Sequence, residues 1–192
     1  MRTLFSLLFL ALAFVLGFFL YKSIEEPIDF NDQRVVRTDA VTAKLEMIRK
    51  AQELYRDATG EFAGSFDTLK QVFNEGQLLS IRVIGDADVV GGTVTYDTTY
   101  IPLRDTFPGL GINLDNIDVV PYTDGQVKFD IEARQIDYQS TTVPVVQVGV
   151  RQSKFMGKYA DERYQRYDQN YSPNSPIYFG DLTKPTLAGS WN

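Results

Sequence analysis

Two groups of side chains in this sequence have spacings that suggest chemistry. The first is acidic. Asp115, Asn116, Asp118 and Asp124 fall around one turn, and Asp86 and Asp88 sit near Gly91-Gly92. Calcium takes roughly six to eight oxygen ligands, and loops rich in Asp and Asn supply them. Asp115, Asp118 and Asp124 are the candidate calcium ligands, on a spacing that matches no EF-hand. The competing reading is structural, because Asp and Asn favour turns through their own backbone hydrogen bonds. The second group is basic and aromatic. Arg151, Lys154, Lys158, Arg163 and Arg166 interleave with Phe155, Tyr159, Tyr164 and Tyr167. Cations among rings suit single-stranded nucleic acid or a membrane surface. They equally suit a solvated helix that packs its rings on a sheet. Tyr159 and Tyr167 are the candidate partner-docking residues of this group.

Composition narrows the chemistry. The 192 residues carry 25 acids and 19 bases, a net charge of −6, with no Cys and no His. Disulfides, thiolate nucleophiles and cysteine zinc sites are excluded. So are histidine general bases and Ser-His-Asp arrangements. The acid excess argues against nucleic acid as the partner, since phosphate binding needs a basic field. A carboxylate hydrolase would need two acids roughly 5–9.5 Å apart, and no pair stands out. The chain therefore reads as non-enzymatic.

These groups need elements to position them. Leu4 to Tyr21 reads LFSLLFLALAFVLGFFLY, without a charge. About 18 residues at 1.5 Å each nearly cross the ~30 Å hydrocarbon layer. Arg2 and Ala11-Leu12-Ala13 have the look of a cleaved signal, but the apolar run continues to Leu20. That favours an uncleaved signal anchor with residues 4–21 in the lipid bilayer. A short N-terminus inside and an exported remainder is the default, although Arg2 and Lys22 nearly balance. The expected address is the inner membrane, single-pass, with the C-terminal domain in the periplasm or outside.

Residues 22–37, charged and holding Pro27, read as an extended neck that turns helical near Asn31. From Thr38 to Ala58, Val41, Leu45, Ile48 and Tyr55 recur at helical spacing, and Gly60 ends the run. A neighbouring stripe at Met47 and Leu54 is available to another subunit. Ser65 suits the N-cap of a second helix, Phe66 to Asn74. Strands follow at Leu78–Ile84, in a hairpin around Gly91-Gly92, and at Ile117–Tyr122. Val127–Ile136 alternates apolar and charged residues, the mark of a sheet with one wet face. Pro144 puts the strand Val143–Val150 at an edge or a strand start. Ser153–Asp168 reads as a second amphipathic helix. The division expected is a signal anchor (1–22), a neck (23–37), an α+β domain (38–171) and a tail (172–192). The fold class is α+β: an N-terminal transmembrane helix, then a long amphipathic helix packed on an antiparallel β-sheet of four to six strands.

The order of anchor, long helix, short loop and antiparallel strands resembles type IV pilins and the major pseudopilins of type II secretion. Ala43-Lys44-Leu45-Glu46-Met47-Ile48-Arg49-Lys50-Ala51-Gln52-Glu53-Leu54-Tyr55 followed by Thr59-Gly60-Glu61-Phe62 carries the likeness. It covers about 40 residues, with Phe62 in place of the loop aromatic and Ala63 in place of proline. A prepilin cut falls between Gly and Phe before the membrane segment, with Glu at the fifth position after it. Here Gly17-Phe18 follows most of the apolar run, and the fifth residue is Lys22. The resemblance implies a membrane-anchored relative of the pilin plan in some other envelope machine, with calcium in its C-terminal loops. The leading functional expectation is a non-enzymatic structural subunit of a cell-envelope assembly, self-assembling or joined to other envelope proteins. The alternatives are a membrane-tethered binding module for a protein or glycan, and a carboxylate hydrolase.

Overall fold

The computed structural model describes residues 2–84, 95–103 and 113–191. Helix α1 runs from Arg2 to Thr59, 58 residues without a break, or about 87 Å. Pro27 lies inside it, where a proline costs a helix about 3 kcal/mol. Packing just beyond the proline holds the helix together, because Phe30 is buried in the core of the head that follows α1. The extended neck expected at 22–37 is thus corrected to helix. Glu26, Phe30, Arg34, Arg37, Val41, Leu45, Ile48, Gln52 and Tyr55 share one face, within roughly 100° of arc at about 100° per residue. That face meets the head, and Phe30, Val41, Leu45, Ile48 and Tyr55 are buried on it.

Gly60 ends α1 with φ 83°, its N–H donating to the Arg56 carbonyl at 2.7 Å. Glycine adopts that left-handed geometry without a Cβ clash. The loop then turns back and is pinned by Gln52. The Gln52 side chain, fully buried on α1, donates to the Ala63 carbonyl at 3.1 Å and accepts from the Ala63 N–H at 2.9 Å. Helix α2 spans Phe66–Glu75, with Ser65 as its N-cap accepting from the Thr68 N–H. Phe66, Leu69 and Phe73 face the core.

Strands β1 (Gln77–Ile84) and β2 (Thr95–Pro102) form a separate antiparallel ladder. The turn proposed at Gly91-Gly92 lies outside the described residues, as do Asp86 and Asp88. The main sheet has the order β3 (Asp130–Tyr138), β4 (Thr141–Arg151), β5 (Pro176–Gly180), all antiparallel. Ile131 pairs with Val148, and Ala133 with Val146. These residues and Phe129 turn inward, while Asp130, Glu132 and Arg134 stay exposed, so the alternation was legible. Gln139 and Ser140 between β3 and β4 both have positive φ, 50° and 66°. That is the mirror-image turn that matches strand twist. Pro144 pairs with Gln135 on one side, and β5 reaches only from Gln147 to Arg151, so its missing N–H costs no ladder bond.

The expected tail at 172–192 is corrected in turn: it supplies β5, and Ile177 and Phe179 join the core. The chain then loops back beside β5, where the Ser190 N–H donates to the Tyr178 carbonyl at 2.8 Å. Replacing Gln52 with Ala strands two buried backbone groups at Ala63. It is expected to cost about 1–3 kcal/mol, read by urea unfolding of the full-length chain in detergent. A loss under about 0.5 kcal/mol would show that the loop is held by packing alone.

Candidate functional site

Residues 152–168 form three short 3-10 turns instead of the expected amphipathic helix. Gly157 interrupts with φ 58°, and a Cβ there would come within 3.2 Å of the Arg37 guanidinium. The turns serve the site better than a regular helix would. At about three residues per turn, residues three apart eclipse one another. Tyr164 and Tyr167 therefore fall on one side, and so do Arg163 and Arg166.

The tyrosines close around Phe30. Tyr164 stacks on it at 5.1 Å with 9° between planes, and Tyr171 meets it edge-on at 5.0 Å. Tyr159 and Tyr167 complete the ring of contacts. Such pairs are worth roughly 0.5–1.5 kcal/mol each beyond area burial. The buried Tyr171 hydroxyl donates to the Tyr159 carbonyl at 2.6 Å. Burial, with Asp161 nearby, pushes that phenol up to about 12.

The arginines and a lysine lie outside the rings. Lys158 sits over Tyr159 at 4.7 Å, Arg163 over Tyr164 at 4.6 Å and Arg166 over Tyr167 at 4.5 Å. Glu26 of α1 gathers this rim. It pairs with Arg163 at 3.6 Å and Arg166 at 3.2 Å, and accepts from the Tyr167 hydroxyl at 3.1 Å. Further along α1, Arg34 pairs with Asp168 at 2.6 Å, and Arg37 donates to the Phe155 carbonyl at 2.6 Å. The basic-aromatic segment is therefore a half-collar against one face of α1, placed just beyond its apolar stretch.

The acidic group has a different role from the one its spacing suggested. Asp118 is buried, with Lys70 on one carboxylate oxygen and Lys128 on the other, both at 2.7 Å. Burial pushes its carboxyl up, but the hydrogen bonds from Lys128 and Lys70 outweigh that and hold it at about 2. Burial likewise pushes Lys44 down; its ammonium donates to Asn116 at 3.0 Å. A carboxylate between two ammoniums ties α2 to the segment that leads into β3 and offers no free oxygen pair to a cation. Asp115 and Asp124 are exposed, and Asp124 sits in a turn with φ 50°. Among the described residues, no three Asp, Glu, His or Cys side chains converge to hold a metal ion.

Of the proposed docking residues, Tyr159 is corrected: it is buried in the collar and unavailable. Tyr167 is half-buried and engaged with Glu26, and Leu54 packs against the core. Met47 remains exposed. Phe30 and Glu26 were missed. The signal was present, since 30, 34, 37, 41, 45 and 48 keep helical spacing, but Arg34 and Arg37 interrupt its apolar character. Compared with protein-family models, curated proteins and solved structures, the chain matches none.

Truncating Phe30 to Ala is expected to cost about 3–5 kcal/mol, with loss of the tyrosine near-UV dichroism on milder heating. Asp118 supplies a pH test. A carboxyl held below its unfolded value of roughly 3.9 contributes stability that is complete above about pH 5. That stability, about 2 kcal/mol, drains away as pH falls toward 2. The Asp118→Asn variant should be less stable at pH 7 and lose less stability across this window than the parent. Parallel pH curves for the two proteins would refute the assignment.

Proposed function

We propose that the protein is a non-enzymatic, membrane-anchored structural subunit of a cell-envelope assembly, pilin-like in layout. One helix would serve both as anchor and as packing surface. The carrying observation is a second stripe on α1, away from the head. Tyr21, Ile24, Ile28 and Val35 are all exposed. At about 100° per residue they lie within roughly 60° of arc, about 150° from Phe30. The stripe continues into the apolar segment through Gly17, Phe14 and Leu10, spaced alternately by three and four residues. A repeat of that period is the seam along which helices pack side by side. Gly17 adds a notch, since a Cβ there would meet nothing within 4 Å. Apolar residues such as Ile28 and Val35 beyond the bilayer gain little as isolated surface and much against a neighbouring helix.

Membrane anchoring is supported by the same helix. It is the one candidate span among the described residues, and none of its most apolar window is buried in the protein. The natural absence of Cys makes the test clean. Single cysteines at 24, 28 and 35 should crosslink to a neighbouring subunit in native membranes. A cysteine at the exposed Gln33, off the seam, should not. Crosslinks lacking this periodicity, or monomers at every position, would sink the assembly reading.

A further inference from the structure

We infer that the collar of 158–167 is a phospholipid-headgroup site, which seats the head directly on the membrane surface. This rests on the reading of α1 as a membrane anchor. The first observation is position. Glu26, which the collar grips, is five residues past Tyr21, a rise of about 7.5 Å. The headgroup layer is roughly 5–8 Å deep on each side of the hydrocarbon. Arg163 and Arg166 therefore lie at headgroup depth when residues 4–21 fill the apolar layer.

The second observation is contact. Arg166 and Tyr167 line one open cleft with Phe19, Lys22 and Glu26. Phe19 belongs to the apolar segment, so a bilayer around that segment reaches the cleft without an intervening water layer. On the other side of Glu26, a second open cleft shares Lys22 and adds Lys158 and Arg163, with Glu25, Glu26 and Asp29 as its acidic lining. Both clefts are bounded by α1 and the collar.

The third observation is chemistry. Tyrosine rings with cations above them suit the boundary between acyl chain and headgroup, where one side is apolar and the other wet. Guanidinium recognises phosphate through several N–H donors at once. Each basic group near an anionic surface is worth about a fivefold preference. Arg163 and Arg166 are more than half exposed on the collar's outer side, although Glu26 holds one edge of each. The ligand chemistry is thus the phosphodiester of a phospholipid, at the leaflet on the head's side.

The test uses the full-length chain in lipid vesicles, with one introduced cysteine carrying a fluorophore. At the exposed Gln165, quenching by a phospholipid bearing a headgroup nitroxide is expected. At Gly64, beyond the far end of α1, it is not. Two arginines less the charge of Glu26 leave about one net basic group, so unlabelled phosphatidylglycerol should relieve the quenching at 165 about fivefold better than phosphatidylcholine. Arg163→Gln with Arg166→Gln should abolish that preference. If this pair loosens the collar, Glu26→Gln provides the second variant: it frees both guanidiniums and should raise the preference. Equal quenching at 165 and 64 overturns the inference, as does a preference unchanged in both variants. Relief by the same concentration of inorganic phosphate overturns the lipid assignment in favour of a free anion. A label at Phe14 separates the two levels of failure. If it is not quenched by an acyl-chain nitroxide, the anchor reading falls and takes this inference with it. If it is quenched while 165 is not, only the headgroup site falls.

Discussion

A helix as long as α1 needs more than its own propensity where its apolar segment gives way to charged residues. Between Lys22 and Gln33 it is charged, holds a proline and offers few good helix-forming stretches. Isolated helical segments of that length are marginal in water. The constraint on the whole structure is that this stretch must nonetheless stay helical, and the insertion of Phe30 between four tyrosines is what enforces it. Pro27 leaves the ladder without its bond back to the Ser23 carbonyl, and the contacts of Glu26 and Phe30 hold the helix on either side of that proline. The 3-10 turns, the cation–tyrosine pairs and the Glu26 rim all follow from the need to wrap that ring.

Two single carboxylates organise the charge of the head in the same manner. Glu26 gathers Arg163 and Arg166 at the lower end of the head, and Asp118 gathers Lys70 and Lys128 further along. They differ in burial and therefore in consequence. Asp118 is nearly closed to water, so losing either its charge or a lysine leaves an uncompensated group in a poorly solvated place. Glu26 is solvent-accessible, where ion pairs are individually weak. Its contacts fix geometry more than they stabilise. A chain with an overall negative charge thus draws four of its 19 cations to two junctions and leaves acids such as Asp130 and Glu132 on the exposed sheet face.

Much of this architecture was legible where local pattern and tertiary demand agree. The stripe Val41–Tyr55, the Ser65 cap, the Gly60 stop and the alternation of β3 all follow from side-chain period or from a residue-specific backbone preference. The α+β class with an antiparallel sheet followed from them. The strand count expected for one sheet was too high, because β1 and β2 pair only with each other among the described residues. Legibility failed where tertiary contacts overrule local signals. Pro27 and the surrounding charges concealed a helix sustained from outside by Phe30. The apolar spacing in 153–168 concealed the left-handed Gly157. The prolines after Ser172 concealed a five-residue strand whose Ile177 and Phe179 complete the core. Asp118 shows the same limit for chemistry. Its place among other acids suggested a cation site, while its actual partners are Lys128, across the turn that follows it, and the distant Lys70.

The two stripes of α1 give the helix a consequence that neither has alone. The head occupies one side from Glu26 to Tyr55, and the opposite side is bare from the apolar segment up to Val35. Because the helix is continuous, the direction in which the bare stripe points determines where the head stands. A neighbour packed along the stripe would find each head displaced outward and the seam unobstructed. That arrangement needs contacts at the base of the head as well as its middle. Otherwise the helix would be free to splay at Pro27, and the stripe along the apolar segment would lose register with the stripe beyond it. The collar meets that need by closing on both sides of Glu26 and Phe30, one residue before the proline and three after it.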